Sequence, residues 1–267
     1  MTGGSGFLGR RIVRRAREVG VDVVAPAHGV LDVRDVGAVL SALETARPAV
    51  VAHLASRMDE RDTIVAGSGN VALAAAAIGA RLVHLSTDVV FAGRPAPYTE
   101  RDRLEPVSEY GRAKADAEAI VGLEHDGAVL VRTSLLYSSD RDDAGPQAAL
   151  VRDALADPGA VTFFEDEARC PALAEDVAAA VLALALGDGE AAVHRGPLHV
   201  AGAQGVTRAD FARALATWLG GDPSVLRTGS QAATGRPGNV VLDCSAAEAL
   251  GLRCRGVDDA LGSAGSA

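Results

Sequence analysis

The sequence predicts an α/β protein built on a doubly wound parallel sheet, with a smaller mixed lobe in its second half. Three observations predict it. Gly3, Gly6 and Gly9 stand three apart ahead of an apolar helical face formed by Leu8, Ile12, Ala16 and Val19. Short β-branched runs then alternate with helical patterns. Finally, Ser86-Thr87-Asp88 closes one of those runs, and Tyr110 and Lys114 follow on a helical stretch.

Taken in order, the elements begin with the glycine turn Thr2-Gly3-Gly4-Ser5-Gly6-Phe7-Leu8-Gly9. The first glycine permits a tight turn, the second a close backbone approach to a pyrophosphate, and the third close helix–strand packing. The helix that follows offers N–H groups and partial positive charge to phosphate. Such a turn ordinarily follows a central strand, yet only Met1 precedes it. The expectation is that the first strand is missing, that the natural chain begins upstream with an apolar strand, and that Met1 is a misassigned start. Strands are predicted at 21–24, 50–54, 82–85 and 129–132, with Asp22, His53 and His84 as interior exceptions to their apolar character. Helices are predicted near 35–47, 63–78 and 108–121. The alternation implies right-handed crossovers and a parallel sheet covered on both faces.

Past Tyr137 the rhythm loosens. Residues 140–146, 187–189 and 220–223 read as polar or glycine-rich breaks, and the apolar run 177–187, bounded by Asp176 and Asp188, reads as a buried helix. Thr207 with Asp210, and Ser245 with Glu248, read as helix-start boxes. The tail 262–267 is small and polar and is expected to fray. Domain boundaries are placed at 1–138 for the cofactor domain and 139–267 for a substrate lobe that sends segments back to the sheet.

Composition narrows the function. The 267 residues are 48% hydrophobic and 23% charged, as in a globular protein with a substantial core. A net charge of −9 and 3% aromatic residues argue against nucleic acid as partner. Cys170, Cys244 and Cys254 have no metal spacing, so no metal site is expected, and they fit a reducing cytoplasm. No apolar run is long enough for a bilayer, and no leader is visible.

The chemistry concentrates after residue 82. Thr87 sits at the carboxyl end of a strand, where open α/β sheets bind ligands. Tyr110 and Lys114 share a helical face. An ammonium there lowers a phenol pKa from about 10 toward acid–base use, while the Thr87 hydroxyl holds the reacting oxygen.

On these residues the chain resembles the extended short-chain dehydrogenase/reductase superfamily. Within it, His84-Leu-Ser-Thr-Asp-Val-Val-Phe91, Pro97-Tyr-Thr-Glu100 and Tyr110-Gly-Arg-Ala-Lys114 are similar to the dTDP-4-dehydrorhamnose reductase family. Arg132-Thr-Ser-Leu-Leu-Tyr137, Pro171-Ala-Leu-Ala-Glu-Asp176 and Arg236-Pro-Gly-Asn-Val-Val-Leu-Asp243 follow in the family's order, so the resemblance spans nearly the whole chain. It implies a Rossmann-like domain in which Gly3, Gly6 and Gly9 cradle the pyrophosphate, and Phe7 and Leu8 lend amides. It places Asp32 and Val33 by the adenine, His53, Leu54 and Ala55 beside the adenosine half, and Asn70 in support of the site's edge. Thr87, Tyr110 and Lys114 match the catalytic trio, with Lys114 and Tyr110 also touching the nicotinamide ribose. Ser86, Thr87 and Arg236 are expected to meet substrate, Arg236 at a diphosphate; the plainer role for Arg236 is a structural ion pair.

Three departures qualify the resemblance. No carboxylate follows the strand at 21–24 to hold a ribose 2′-hydroxyl, and Arg10 is placed to meet a 2′-phosphate, so NADP(H) is favoured over NAD(H). Residues 57–61 are shorter than the family's loop, and Val89 replaces a tyrosine. The implied activity is NAD(P)-dependent reduction of a keto group on a nucleotide-linked sugar. A sugar-nucleotide epimerase or dehydratase, and a non-catalytic regulatory subunit, stay open beside it. A homodimer through the helices at 63–78 and 108–121 is expected.

Overall fold

The computed structural model describes residues 1–187, 189–232 and 234–262. Asp188 and the tail beyond Gly262 lie outside the described residues. Glycine-led helix α1 (Phe7–Glu18) is followed by α2 (Val36–Ala46), strand β1 (Val50–His53), α3 (Arg61–Ala77), β2 (Arg81–Thr87), α4 (Glu109–Glu124) and β3 (Val129–Thr133). After α5 (Pro146–Ala156) and α6 (Ala174–Leu186), the chain returns to the sheet as β4 (Gly196–His199). The sheet runs β1-β2-β3-β4, parallel throughout.

Strand alternation sorts its side chains onto two faces. Leu82 and Leu130 pack with Val39, Val71 and Ala72 of α2 and α3. Val83, Val129 and Val131 pack with Leu8 and Ile12 of α1 and Val177 and Val181 of α6. Helices therefore cover both faces, as the apolar character of these strands requires. The run at 177–187 is α6, buried on the sheet as its sequence predicts. Caps agree with the sequence at three helices: Asp35 accepts from Ala38 N at 3.0 Å, Ser108 from Gly111 N at 3.0 Å, and Thr207 from Asp210 N at 3.0 Å.

Two expectations are corrected. Residues 21–24 form no strand. Only Met1 and Thr2 lie between that segment and β1. The Met1 ammonium donates to Val24 O at 2.7 Å, Thr2 N to Ala52 O at 3.0 Å, and Leu54 N to Thr2 O at 3.3 Å, leaving a single parallel bridge, Thr2 to His53. A ladder that short cannot order the outer segment, and Val24 stays exposed. The box at Ser245 is also displaced by one register. Ser245 is the first helical residue, and its N–H is accepted by Asp243 Oδ1 at 2.9 Å.

The second lobe is mixed. Two-residue strand pairs join Leu136–Tyr137 to Ala172–Leu173, Phe163–Phe164 to Thr228–Gly229, and Ala168–Arg169 to Val206–Thr207, the last antiparallel. Its core gathers Tyr137, Val151, Phe163, Phe211, Leu215 and Trp218 between α5 and the helix Arg208–Trp218. Tyr137 meets Phe211 edge to face at 5.2 Å. Cys170, Cys244 and Cys254 are free thiols whose pKa burial raises. Among the described residues no helix is long and apolar enough to cross a membrane.

Candidate active site

A cleft of about 230 Å³ opens at the carboxyl end of β1, lined by Thr2, Gly3, Ser5, Gly6, Pro26, His28, Leu31, Val33, Leu54, Ala55, Ser56, Arg57 and Thr63. Its floor is the glycine turn. A Cβ on Gly9 would come within 2.1 Å of Gly3 O, so only glycine lets α1 begin this close to the turn. The Phe7 and Leu8 side chains turn into the core. Their N–H groups stay at the first turn of α1, whose Gly6 cap provides no side-chain acceptor. Those donors, the helix dipole and the absence of side chains on the floor fit a dinucleotide pyrophosphate. Val33, Leu54 and Ala55 line the cleft.

Asp32, Arg10 and the two polar supports stand elsewhere. Asp32 is gripped by Arg34, at 2.6 Å from Nη2, which holds its carboxyl low, at about 2. Arg10 does not line the cleft; its guanidinium bonds Asp143 (3.1 Å) and Ser5 O (3.0 Å). His53 sits in a buried chain, with Nδ1 2.6 Å from Thr2 Oγ1 and Nε2 3.1 Å from Ser68 Oγ. Asn70 donates to Val33 O and Arg34 O, at 3.0 and 3.1 Å, and so pins the loop from which Val33 lines the cleft.

At the end of β2 the pleat separates two neighbours. The Thr87 hydroxyl stays with its own turn, donating to Asp88 Oδ1 at 3.3 Å and accepting from Val89 N at 3.4 Å. Ser86 points the other way, into the helix interface, and donates to Glu118 Oε1 at 2.5 Å. Glu118 is itself held by buried Arg132, at 2.7 Å. The Ser86 hydroxyl is therefore committed beneath the site rather than open to substrate.

Gly111 brings α4 onto this strand end. A Cβ there would lie 2.3 Å from Val89 O. The close approach sets Tyr110 beside Asp88 and in hydrogen-bonding contact with Ser56. Burial is the main influence on the phenol and raises its pKa; the Ser56 bond opposes this, and the Asp88 charge adds to the rise. Lys114 lies one turn on, 3% exposed, donating to Leu85 O at 2.6 Å. Burial lowers its pKa to about 8, with Glu118 opposing. The lysine thus turns into the helix–sheet interface, and the expected lowering of the phenol by its charge is not found.

Sequence reasoning missed Ser56 and Asp88. Ser56 lines the cleft and touches Tyr110, joining the two halves of the site. Its signal is position, three residues past the carboxyl end of β1. Asp88 is buried, accepts from Ser134 Oγ at 2.6 Å and faces Arg169 Nε at 3.6 Å. Its pKa is raised by burial. The Arg236 fork is bidentate on buried Glu167, at 2.9 and 3.1 Å, with nearly half of its side chain exposed. No group of three or more His, Cys, Asp or Glu among the described residues is arranged to hold a metal ion.

The model of the family described as the RmlD substrate binding domain matches residues 1–263. A Streptomyces griseus protein named dTDP-4-dehydrorhamnose reductase is 33% identical over 270 residues, covering 94% of this chain and 87% of its own length. The Xenopus laevis protein named methionine adenosyltransferase 2 subunit beta is 28% identical over 275 residues, covering 94% and 82%. The Bacillus anthracis dTDP-4-dehydrorhamnose reductase, solved in complex with NADP, shares the fold with a TM-score of 0.84 at 24% identity, over 97% of this chain and 94% of that one.

Proposed function

Since the chain belongs to the RmlD substrate binding domain family, within the extended short-chain dehydrogenase/reductases, we propose that it reduces a keto group of a nucleotide-linked sugar with NADPH or NADH. The observation that carries this reading is the meeting at Ser56 of a glycine-floored cleft and the Tyr110 phenol, with Thr87 closing the neighbouring strand. The cofactor, when bound, supplies the hydride for the carbonyl carbon. Thr87 holds the carbonyl oxygen through its hydroxyl. Tyr110 delivers a proton to that oxygen; a phenol, with an ordinary pKa of about 10, carries the proton at neutral pH, as a donor requires. Lys114 holds positive charge beneath the tyrosine and meets the nicotinamide ribose. Gly3, Gly6, Gly9 and the amides of Phe7 and Leu8 take the pyrophosphate, and Val33, Leu54 and Ala55 flank the adenosine. Residues 1–138 form the cofactor domain and 139–267 the lobe that grips the sugar nucleotide, in a cytoplasmic homodimer.

The likeness to a subunit of another enzyme favours a second reading, a cofactor-binding subunit without turnover. Following NADPH absorbance with dTDP- and UDP-linked 4-keto sugars separates the two. Oxidation of NADPH that depends on the sugar supports the reductase; NADPH binding with no sugar-dependent oxidation supports the subunit.

A further inference from the structure

Of the 26 lysine and arginine residues in this chain, Lys114 alone is a lysine. The two types differ when buried: a guanidinium keeps its proton, whereas an ammonium yields its proton as water is removed. The one lysine is buried against the sheet, where burial lowers its pKa to about 8. Its charge near neutral pH therefore depends on what stands beside it.

Glu118 lies one turn further along α4, so Tyr110, Lys114 and Glu118 form a ladder on the sheet-facing side of the helix. Glu118 is also buried, and its charge opposes the lowering at Lys114. The two side chains nevertheless form no ion pair among the described residues. Glu118 is turned onto the strands instead. Arg132 of β3 donates to it from Nε, at 3.0 and 3.1 Å, and from Nη2, at 2.7 Å; Ser86 of β2 donates from Oγ, at 2.5 Å. These contacts keep the carboxylate on the sheet side. Lys114 spends one donor on Leu85 O, at 2.6 Å, and its remaining protons are uncommitted among the described residues. The other groups around the lysine supply no negative charge. Burial keeps His84 of β2 and His53 of β1 neutral, and α3 turns only uncharged residues inward. Arg132 is spent on Glu118, and Asp88 stands by Tyr110.

We propose that Glu118 is a positioning residue for Lys114: from the next turn of α4 it keeps the ammonium charged, while Arg132 and Ser86 hold it back from the ammonium's own donors. The lysine is thereby presented to the cofactor both charged and with protons to give. The use made of the lysine rests on the reductase reading; the dependence of its charge on Glu118 does not.

A single lysine makes the test direct. The full chain, grown with isotope-labelled lysine, gives one side-chain Cε signal, and its shift with pH reads the Lys114 midpoint without cofactor or turnover. In Glu118→Gln that midpoint is expected to fall by about one to two pH units, the effect of removing a unit charge a helical turn away at a protein's effective dielectric. Glu118→Asp, which keeps the charge, is expected to stay within about half a unit of wild type. NADPH binding, followed by fluorescence titration, should move with the charge. The Kd of Glu118→Gln is expected to exceed that of wild type at about pH 8 and to approach it as pH falls toward about 6, where the ammonium regains its proton. A Glu118→Gln midpoint within about 0.3 unit of wild type, or NADPH affinity lost equally at every pH, overturns the proposal and leaves Glu118 as a packing partner of Arg132. If Glu118→Gln does not fold, Glu118→Gln combined with Arg132→Met removes the buried pair as a unit; a lowered Lys114 midpoint there supports the proposal, and an unchanged one overturns it. A chain whose Lys114 midpoint falls in Glu118→Gln, yet which never oxidises NADPH with a 4-keto sugar, sinks the reductase reading and keeps the positioning role.

Discussion

Tyr110 and Lys114 sit one helical turn apart, yet the proposed mechanism gives them different work, and their substitutions should separate. Tyr110→Phe keeps the ring and the fold but removes the proton donor. We expect kcat to fall about 10²–10⁴-fold, the usual worth of positioned acid catalysis, with the Kd for NADPH unchanged. Turnover near wild type in that variant would remove the tyrosine from the mechanism. Lys114→Met should instead lower kcat and weaken NADPH together, because it deletes the charge held beneath the site; an unchanged NADPH Kd by fluorescence titration would confine the lysine to a structural role on Leu85 O. Both residues are legible in the sequence from their spacing and their place after a strand-end Thr87. What spacing does not carry is side-chain direction. Ser86 and Thr87 look equivalent as letters, but the pleat sends one to Glu118 and leaves the other on Asp88. Arg10 likewise reads as a phosphate ligand until Asp143, far away in sequence, is found on its guanidinium.

At the scale of elements, the approach of α4 to the end of β2 sets where Tyr110 stands relative to Asp88 and Ser56. Gly111→Ala puts a methyl 2.3 Å from a backbone oxygen that cannot rotate away, so the helix must shift. We expect a loss of about 1–3 kcal/mol in stability, typical of overpacking, and a fall in kcat larger than the fall in folded fraction explains. A denaturant melt and kcat measured on the same preparation check this; full activity would mean that the site tolerates the shift. Strand and helix positions of the sheet domain were readable because buried parallel strands are apolar and the helices between them are periodic and capped. The segment at 21–24 misled for a physical reason. Its residues suit a strand, but a strand exists only through its ladder, and its neighbour here is Met1–Thr2. Ser245 misled similarly, since either it or Asp243 satisfies the local donors, and the preceding backbone selects Asp243. The pairs of two-residue strands in the second lobe carry too few residues for any period to show.

For the molecule as a whole, three buried histidines set the response to acid. His53, His84 and His199 are each almost fully buried, and burial lowers the pKa of all three, His53 to about 3. Lys114 adds to the lowering at His53 and His84. In the unfolded chain each titrates near 6.5, so as pH falls below that value the unfolded state takes up protons that the folded state refuses. Stability is therefore full above about pH 6.5 and is lost progressively as pH falls toward 3. His84 is the sharpest case. It stacks on His53 at 5.2 Å, and neither of its ring nitrogens has a hydrogen-bond partner among the described residues. An apolar side chain in its place removes both an unpaired polar group and a proton acceptor of the unfolded state. We expect His84→Leu to be neutral or more stable by about 1 kcal/mol at pH 7, and its stability to decline less steeply between about pH 6.5 and 4 than that of wild type. Urea melts across that range measure both quantities. If His84→Leu loses stability with the same slope as wild type, proton uptake at His84 does not drive the acid response, and His53 and His199 must carry it.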